Sequence, residues 1–173
     1  MTLVPCELHR HGAAILAILN EVIAHSTALY DYKPRTIDMM TPWFEAKAKG
    51  SFPVIGLEND SGDLMGFASY GTFRAWPAYK YSVEHSVYVA APFRGHGLGR
   101  RLMQELIATA QRQNYHVLIG AIDAANTASI ALHQRLGFTH CGIIRQAGFK
   151  FGRWLDLSFF QLVLTTPTQP VDG

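Results

Sequence analysis

Val87-Tyr88-Val89-Ala90-Ala91-Pro92-Phe93-Arg94-Gly95-His96-Gly97-Leu98-Gly99-Arg100-Arg101 passes from a β-branched and aromatic run, through a glycine-rich loop, into an amphipathic segment. Glycines let a backbone take positive φ and approach a ligand closely. A helix opening at Leu98 presents amides without intrahelical partners and a partial positive charge. Together these make an anion site suited to a pyrophosphate. Its candidate residues are Arg94, Gly95, His96, Gly97, Leu98, Gly99 and Arg100. The plainer alternative is a turn that only starts a helix. Spacing excludes two rival loops. A P-loop ends in Gly-Lys-Ser/Thr, whereas Gly99 is followed by Arg100-Arg101. The dinucleotide fingerprint needs a third glycine at position 100, which is arginine.

Working outward, Ser82–Val89 reads as a strand. After the loop, Leu98, Leu102, Leu106, Ile107 and Ala110 fall at helical spacing. Residues 116–122 form a short apolar strand, and 126–136 a second amphipathic helix that Gly137 stops. Strands are expected near 139–146 and 155–164. Towards the N-terminus, Leu64–Thr72 and 53–58 make a hairpin across Asn59-Asp60-Ser61-Gly62-Asp63. Thr41 is expected to cap a helix with Pro42 at its first position and Gly50 at its end. Residues 11–25 carry Ile15, Ile18, Leu19, Val22 and Ile23 on one helical face. The order β, α, α, β, β, β, α, β, α, β, β implies an α/β mixed sheet with helices on both faces.

The bulk composition narrows the classes. The chain has 173 residues, 49% hydrophobic and 16% charged, which suits a packed core and not a disordered chain. A net charge of +2 carries no basic footprint for nucleic acid. No apolar run reaches the roughly 20 residues of a membrane span, and Met1 to Glu7 has no signal-peptide pattern. A cytoplasmic protein with no membrane or nucleic-acid partner is the expectation. Residues 1–164 are expected to be one domain and 165–173 a disordered tail. His9 and His11 lack a third ligand at zinc-like spacing, so no metal is expected. Cys6 and Cys141 lack a placed base for covalent chemistry, and Cys141 is expected in the core.

A second motif follows the glycine loop: Asn126-Thr127-Ala128-Ser129, then Ala131-Leu132-His133, then Leu136-Gly137-Phe138. Asn126 alone reads as a helix cap. The two motifs in this order resemble the GNAT superfamily of N-acetyltransferases. Arg94, Gly97 and Gly99 match its Arg/Gln-x-x-Gly-x-Gly/Ala cofactor motif, and Asn126 to Phe138 its following helix. The resemblance implies the GNAT fold, with about seven strands and about four helices, and acetyl-CoA as co-substrate. It adds Val87, Tyr88, Val89, Asn126 and Ser129 to the cofactor residues. Val83-Glu84-His85-Ser86-Val87-Tyr88-Val89 and Lys150-Phe151-Gly152-Arg153-Trp154-Leu155-Asp156-Leu157 are similar to the phosphinothricin and methionine sulfoximine acetyltransferases within that superfamily. These act on the α-amine of small amino-acid analogues.

That closer resemblance implies Glu84 as the catalytic base. It places Arg74, Ala75, Trp76, Glu84, His85 and Ser86 around the amine substrate, with Arg74 on its carboxylate. A free α-amine, with a reference pKa near 8, is about one-tenth neutral at pH 7, so one carboxylate is base enough. A backbone N–H of Val87-Tyr88-Val89 would stabilise the thioester oxygen. Many relatives carry a tyrosine acid where this chain has His133, so His133 is read either as the proton donor to the leaving thiolate or as a residue that packs against the pantetheine arm or caps a hydrogen bond. The segments Leu29-Tyr30-Asp31-Tyr32-Lys33 and Arg74-Ala75-Trp76-Pro77-Ala78-Tyr79 depart from the close family. Aromatic Phe149, Phe151, Trp154, Phe159 and Phe160 are read either as a homodimer face or as ordinary core. Other amines (a polyamine, an aminoglycoside, a protein N-terminus) and a non-catalytic acyl-CoA sensor are the competing readings.

Overall fold

A computed structural model describes residues 1–172, and the part of the expected tail at Gly173 lies outside the described residues. The strands are β1 (Thr2–Pro5), β2 (Val54–Glu58), β3 (Leu64–Thr72), β4 (Ser82–Val89), β5 (Val117–Asp123), β6 (Thr139–Lys150) and β7 (Arg153–Val163). The helices are α1 (Leu8–His25), α2 (Met40–Lys49), α3 (Leu98–Arg112) and α4 (Thr127–Arg135). The sheet runs β1-β2-β3-β4-β5-β7-β6. It is mixed: β4 and β5 are parallel, and β1–β2, β2–β3, β5–β7 and β6–β7 are antiparallel. This is the fold class and element order that the sequence implies.

The chain divides into two compact units. The first comprises Met1–Tyr70 and Ser86–Leu106. Its core gathers Ile15, Ile18 and Leu19 of α1, Met40 of α2, Val54 of β2, and Leu64 and Phe67 of β3. Each such side chain, fully buried, contributes about 1.5–3 kcal/mol. Leu98, Leu102, Met103 and Leu106 bury the apolar stripe of α3. Gly66 is required here, because a Cβ on it would sit 2.7 Å from the Tyr88 carbonyl oxygen. The second unit comprises Gly71–His85 and the described residues from Ile107 onward. It is built on β5, β7 and β6, with Leu118, Leu155, Phe138 and Phe160 buried.

Two local expectations are corrected. α2 begins at Met40, fed by a 3-10 turn over Ile37–Met39 that Thr36 caps, so Thr41 is not its N-cap. Pro42 is still tolerated because first-turn amides need no intrahelical acceptor. Cys141 is exposed instead of core, since the β6–β7 ladder slips between His140 and Gly142 and breaks the alternation there. Residues Thr166 and Val171 of the expected tail make hydrogen bonds: Thr166 Oγ1 donates to the Tyr115 carbonyl, and the Val171 amide to the Tyr81 hydroxyl.

Candidate active site

Strand alternation sorts β4 into two faces. Its pairing with β5 spans three residues and ends at Glu84–Ile119. Ile119 is in register with Gln161 of β7, and Gln161 with Thr139 of β6. In-register residues share a face, so Glu84, Ile119 and Gln161 form one row across the second unit. Glu84 is exposed on that face. Partial burial of its carboxyl raises its pKa above the ordinary value, while the Arg74 guanidinium pulls it down. Arg74 follows β3, with its guanidinium 4.9 Å from the Phe73 ring centroid. Phe73 in turn meets Tyr79 edge-on at 5.8 Å. Ala75 and Trp76 are exposed beside it, Trp76 at 74%.

His85 stands apart from Glu84 in the expected substrate set. One residue on from Glu84, it points to the opposite face and is buried. Its Nε2 lies 2.8 Å from Nε2 of His133. His133 Nδ1 is 2.7 Å from the Ser129 carbonyl oxygen, to which it donates. His133 Nε2 is therefore the acceptor and His85 Nε2 the donor when both rings are neutral. Burial, and for His85 the neighbouring imidazole, depresses both pKa values, that of His85 to about 3. The expected acid role of His133 meets a plain obstacle: its one N–H is committed to a carbonyl and its other nitrogen to His85. Phe138 and Phe160 pack on the pair. Gly120 leaves it room, since a Cβ there would lie 3.1 Å from His85 Cε1. Alternation in Val83-Glu84-His85 could have shown that His85 faces inward. Nothing local shows that its partner is His133, 48 residues on.

The glycine loop lies in the first unit. Gly95 and Gly97 have φ of 82° and 77°, in the left-handed region, and face open space. The first helical bond of α3 runs from the Arg101 amide to the Gly97 carbonyl. The amides of Leu98, Gly99 and Arg100 precede it, as an anion cradle requires. The Leu98 side chain is buried, so its part in such a cradle is its backbone. Arg94 Nε donates to the Val89 carbonyl at 2.9 Å, and its terminal nitrogens pair with Glu21. Arg94 thus fixes the loop to the end of β4 and to α1. Arg100 and His96 are exposed. These features fit the pyrophosphate of acetyl-CoA.

Asn126 and Ser129 have structural work in the second unit. Asn126 Oδ1 accepts the Ser129 amide at 3.1 Å, capping α4. Gly137 at φ 88° ends it. Asp123, which the sequence reading missed, is a buried carboxylate that accepts the Ala125 amide and faces Arg153 at 3.5 Å. In the first unit, burial pushes the Cys6 thiol up to about 12, too high for a nucleophile at neutral pH. His11 is engaged with Glu58 at 2.9 Å. Among the described residues no group of three His, Cys, Asp or Glu side chains is placed to hold a metal ion. No helix among them is long and apolar enough to cross a membrane.

The sequence profile of the acetyltransferase (GNAT) family matches residues 18–138. The chain is 45% identical over 150 residues to the L-methionine sulfoximine/L-methionine sulfone acetyltransferase of Pseudomonas paraeruginosa, covering 87% of each protein. It is 35% identical over 149 residues to the phosphinothricin N-acetyltransferase of Alcaligenes faecalis, covering 86% of this chain and 75% of that one. A GNAT superfamily phosphinothricin acetyltransferase from Sinorhizobium meliloti, solved in complex with acetyl-CoA, superposes with a TM-score of 0.94 at 31% identity. That match covers 99% of this chain and 94% of the other.

Proposed function

The chain belongs to the GNAT family and is an acetyl-CoA-dependent N-acetyltransferase, and we propose that its acceptor is the α-amine of a small amino acid or amino-acid analogue. Methionine sulfone, methionine sulfoximine and phosphinothricin, the substrates named for its relatives, are the first candidates. The observation that carries this reading is that Glu84, exposed at the end of the β4–β5 pairing, and Arg74, exposed just after β3, lie within electrostatic reach of each other. An α-amino acid offers a carboxylate and an ammonium a few ångströms apart. One cation and one base within electrostatic reach of each other answer both. A guanidinium pairs with a carboxylate in bidentate fashion. A carboxylate of raised pKa takes a proton from the ammonium more readily. A polyamine, with no carboxylate, would have no use for Arg74.

Acetyl-CoA supplies the activated acetyl group. Gly95, Gly97 and the amides of Leu98, Gly99 and Arg100 would hold its pyrophosphate, and a backbone N–H among Val87, Tyr88 and Val89 would orient toward the thioester oxygen. Glu84 accepts the proton of the substrate ammonium, directly or through one water. Arg74 holds the carboxylate so that the freed amine points one way.

Free-thiol release from acetyl-CoA with a panel of amines tests this reading. Glu84→Gln is expected to lower kcat by about 10²-fold, the lower end for general-base catalysis, because the amine is partly neutral already. Arg74→Ala is expected to raise KM about tenfold or more for an amino acid, as loss of a charged hydrogen-bonded pair implies. It should change KM little for the decarboxylated amine. Equal effects on both would overturn the role of Arg74. Thiol release with polyamines alone would overturn the acceptor class.

A further inference from the structure

The face that carries Glu84 also carries a cavity of about 430 Å³. Ile119, the residue in register with Glu84, lies in its lining. So do Phe73, next to Arg74, and Ile143, Ile144, Phe159 and Gln161. All of these belong to the second unit. The cavity therefore begins one strand away from the base and one residue away from the carboxylate-binding arginine. Its size lies within the range of small-molecule pockets, roughly 300–1,000 Å³. No Asp, Glu, Lys or Arg lines it. A charged side chain placed there would find no opposite charge in the lining, whereas an apolar stem would be covered by it.

Gln161 is the one lining residue with a strong hydrogen-bonding side chain. Its side-chain amide makes no hydrogen bond to another described residue, although its backbone carbonyl accepts from Thr139 Oγ1 at 3.4 Å. An amide offers two donors and an acceptor. We propose that this cavity receives the acceptor's side chain and that Gln161 selects an uncharged side chain bearing a hydrogen-bonding group beyond an apolar stem. A sulfone or sulfoximine is such a group, whereas the anionic phosphinate of phosphinothricin is not, so the cavity narrows the three candidates to the two methionine derivatives. This rests on the α-amino-acid reading above and adds the residue that would set the choice among amino acids.

The test compares kcat/KM for methionine sulfone, norleucine, lysine and glutamate in the wild type and in Gln161→Leu. Norleucine has the same stem with no polar end. The wild type is expected to favour methionine sulfone, and to acetylate the α-amine of lysine and glutamate least. Gln161→Leu should lower kcat/KM for methionine sulfone about three- to tenfold, the worth of one neutral hydrogen bond. It should leave norleucine unchanged or improved. Gln161→Glu, which keeps the size and adds a charge, should lower both. A Gln161→Leu variant with an unchanged sulfone-to-norleucine ratio would overturn the proposal while thiol release with amino acids kept the acceptor class intact. No thiol release with any α-amino acid would instead remove the reading beneath it. Exposed Cys141 also lines the cavity, which gives a second measure in the folded protein. Methionine sulfone should slow its alkylation in the wild type, at concentrations where norleucine protects less. Equal alkylation rates with and without methionine sulfone would count against the cavity as its seat.

Discussion

His85 and His133 show how one residue step on a strand separates chemistry from support. Glu84 stands on an exposed face with a raised pKa, and His85 on a buried face with a lowered one. The histidine pair is neutral when folded, and this has a testable sign. Unfolded, each imidazole takes a proton near pH 6.5. Folded, His85 resists until about pH 3. The unfolded state then binds more protons, so stability falls as pH drops below 6.5, by about 1.4 kcal/mol per pH unit for one group held neutral. Glu84 works the other way, since a carboxyl with a raised folded pKa gains stability as it protonates. Melting temperatures from pH 7 to 4.5 should therefore decline in the wild type. His85→Gln, whose amide can still donate to His133, should flatten that decline. Identical slopes would show that the pair does not carry the acid sensitivity. The alternation of β4 was legible in the sequence, but the partner of His85 was not. A contact 48 residues away leaves no local trace, and the helical position of His133 gave no sign that both its ring nitrogens are engaged, one by Ser129 and one by His85.

At the scale of elements, the glycine loop and the α4 cap call for different outcomes. Gly97 faces open space, so a side chain there meets nothing, and the cost of Gly97→Val is backbone strain at φ 77°. A left-handed residue with a Cβ costs roughly 1–2 kcal/mol. If that strain deforms the cradle, KM for acetyl-CoA rises several-fold while KM for the amine stays put. Asn126→Ala removes a cap worth about 1 kcal/mol, which for a chain of this size lowers the melting temperature by roughly 2–4 °C. An unchanged KM for acetyl-CoA in that variant would assign Asn126 to capping alone. Elements of strong period came straight from the sequence: Leu64–Thr72 and Ser82–Val89 match to the residue. The start of α2 did not, because Thr41-Pro42 imitates a cap and first position. A 3-10 turn upstream delivers the chain already helical. Cys141 was misplaced for a related reason, since a bulge resets a period-two pattern without marking itself in composition.

At the scale of the whole molecule, β6 and β7 leave Ile143, Ile144, Phe149, Phe151 and Trp154 between 46% and 58% exposed. Scattered apolar residues need no explanation, whereas several along one hairpin suit a contact with a partner. Leu155 and Phe160, on the same pair of strands, are buried. The two readings of the C-terminal aromatics therefore divide along the hairpin: Phe160 is buried in the core, whereas Phe149, Phe151 and Trp154 are about half exposed, Phe149 and Trp154 edge-on to each other at 5.1 Å. A second copy is the occupant we propose, since an isologous face needs only its own residues. A stable interface takes about 800 Å² from each subunit. Light scattering should give twice the chain mass of 19.2 kDa for the wild type. Trp154→Asp combined with Phe149→Asp should give a single chain mass with a far-ultraviolet spectrum unchanged. A wild type of single mass at micromolar concentration would overturn the dimer. Ile143 and Ile144 also wall the cavity beside Glu84. Loss of the partner is therefore expected to raise KM for the amino acid while KM for acetyl-CoA, read by a loop in the first unit, stays within twofold of wild type, or about 0.4 kcal/mol.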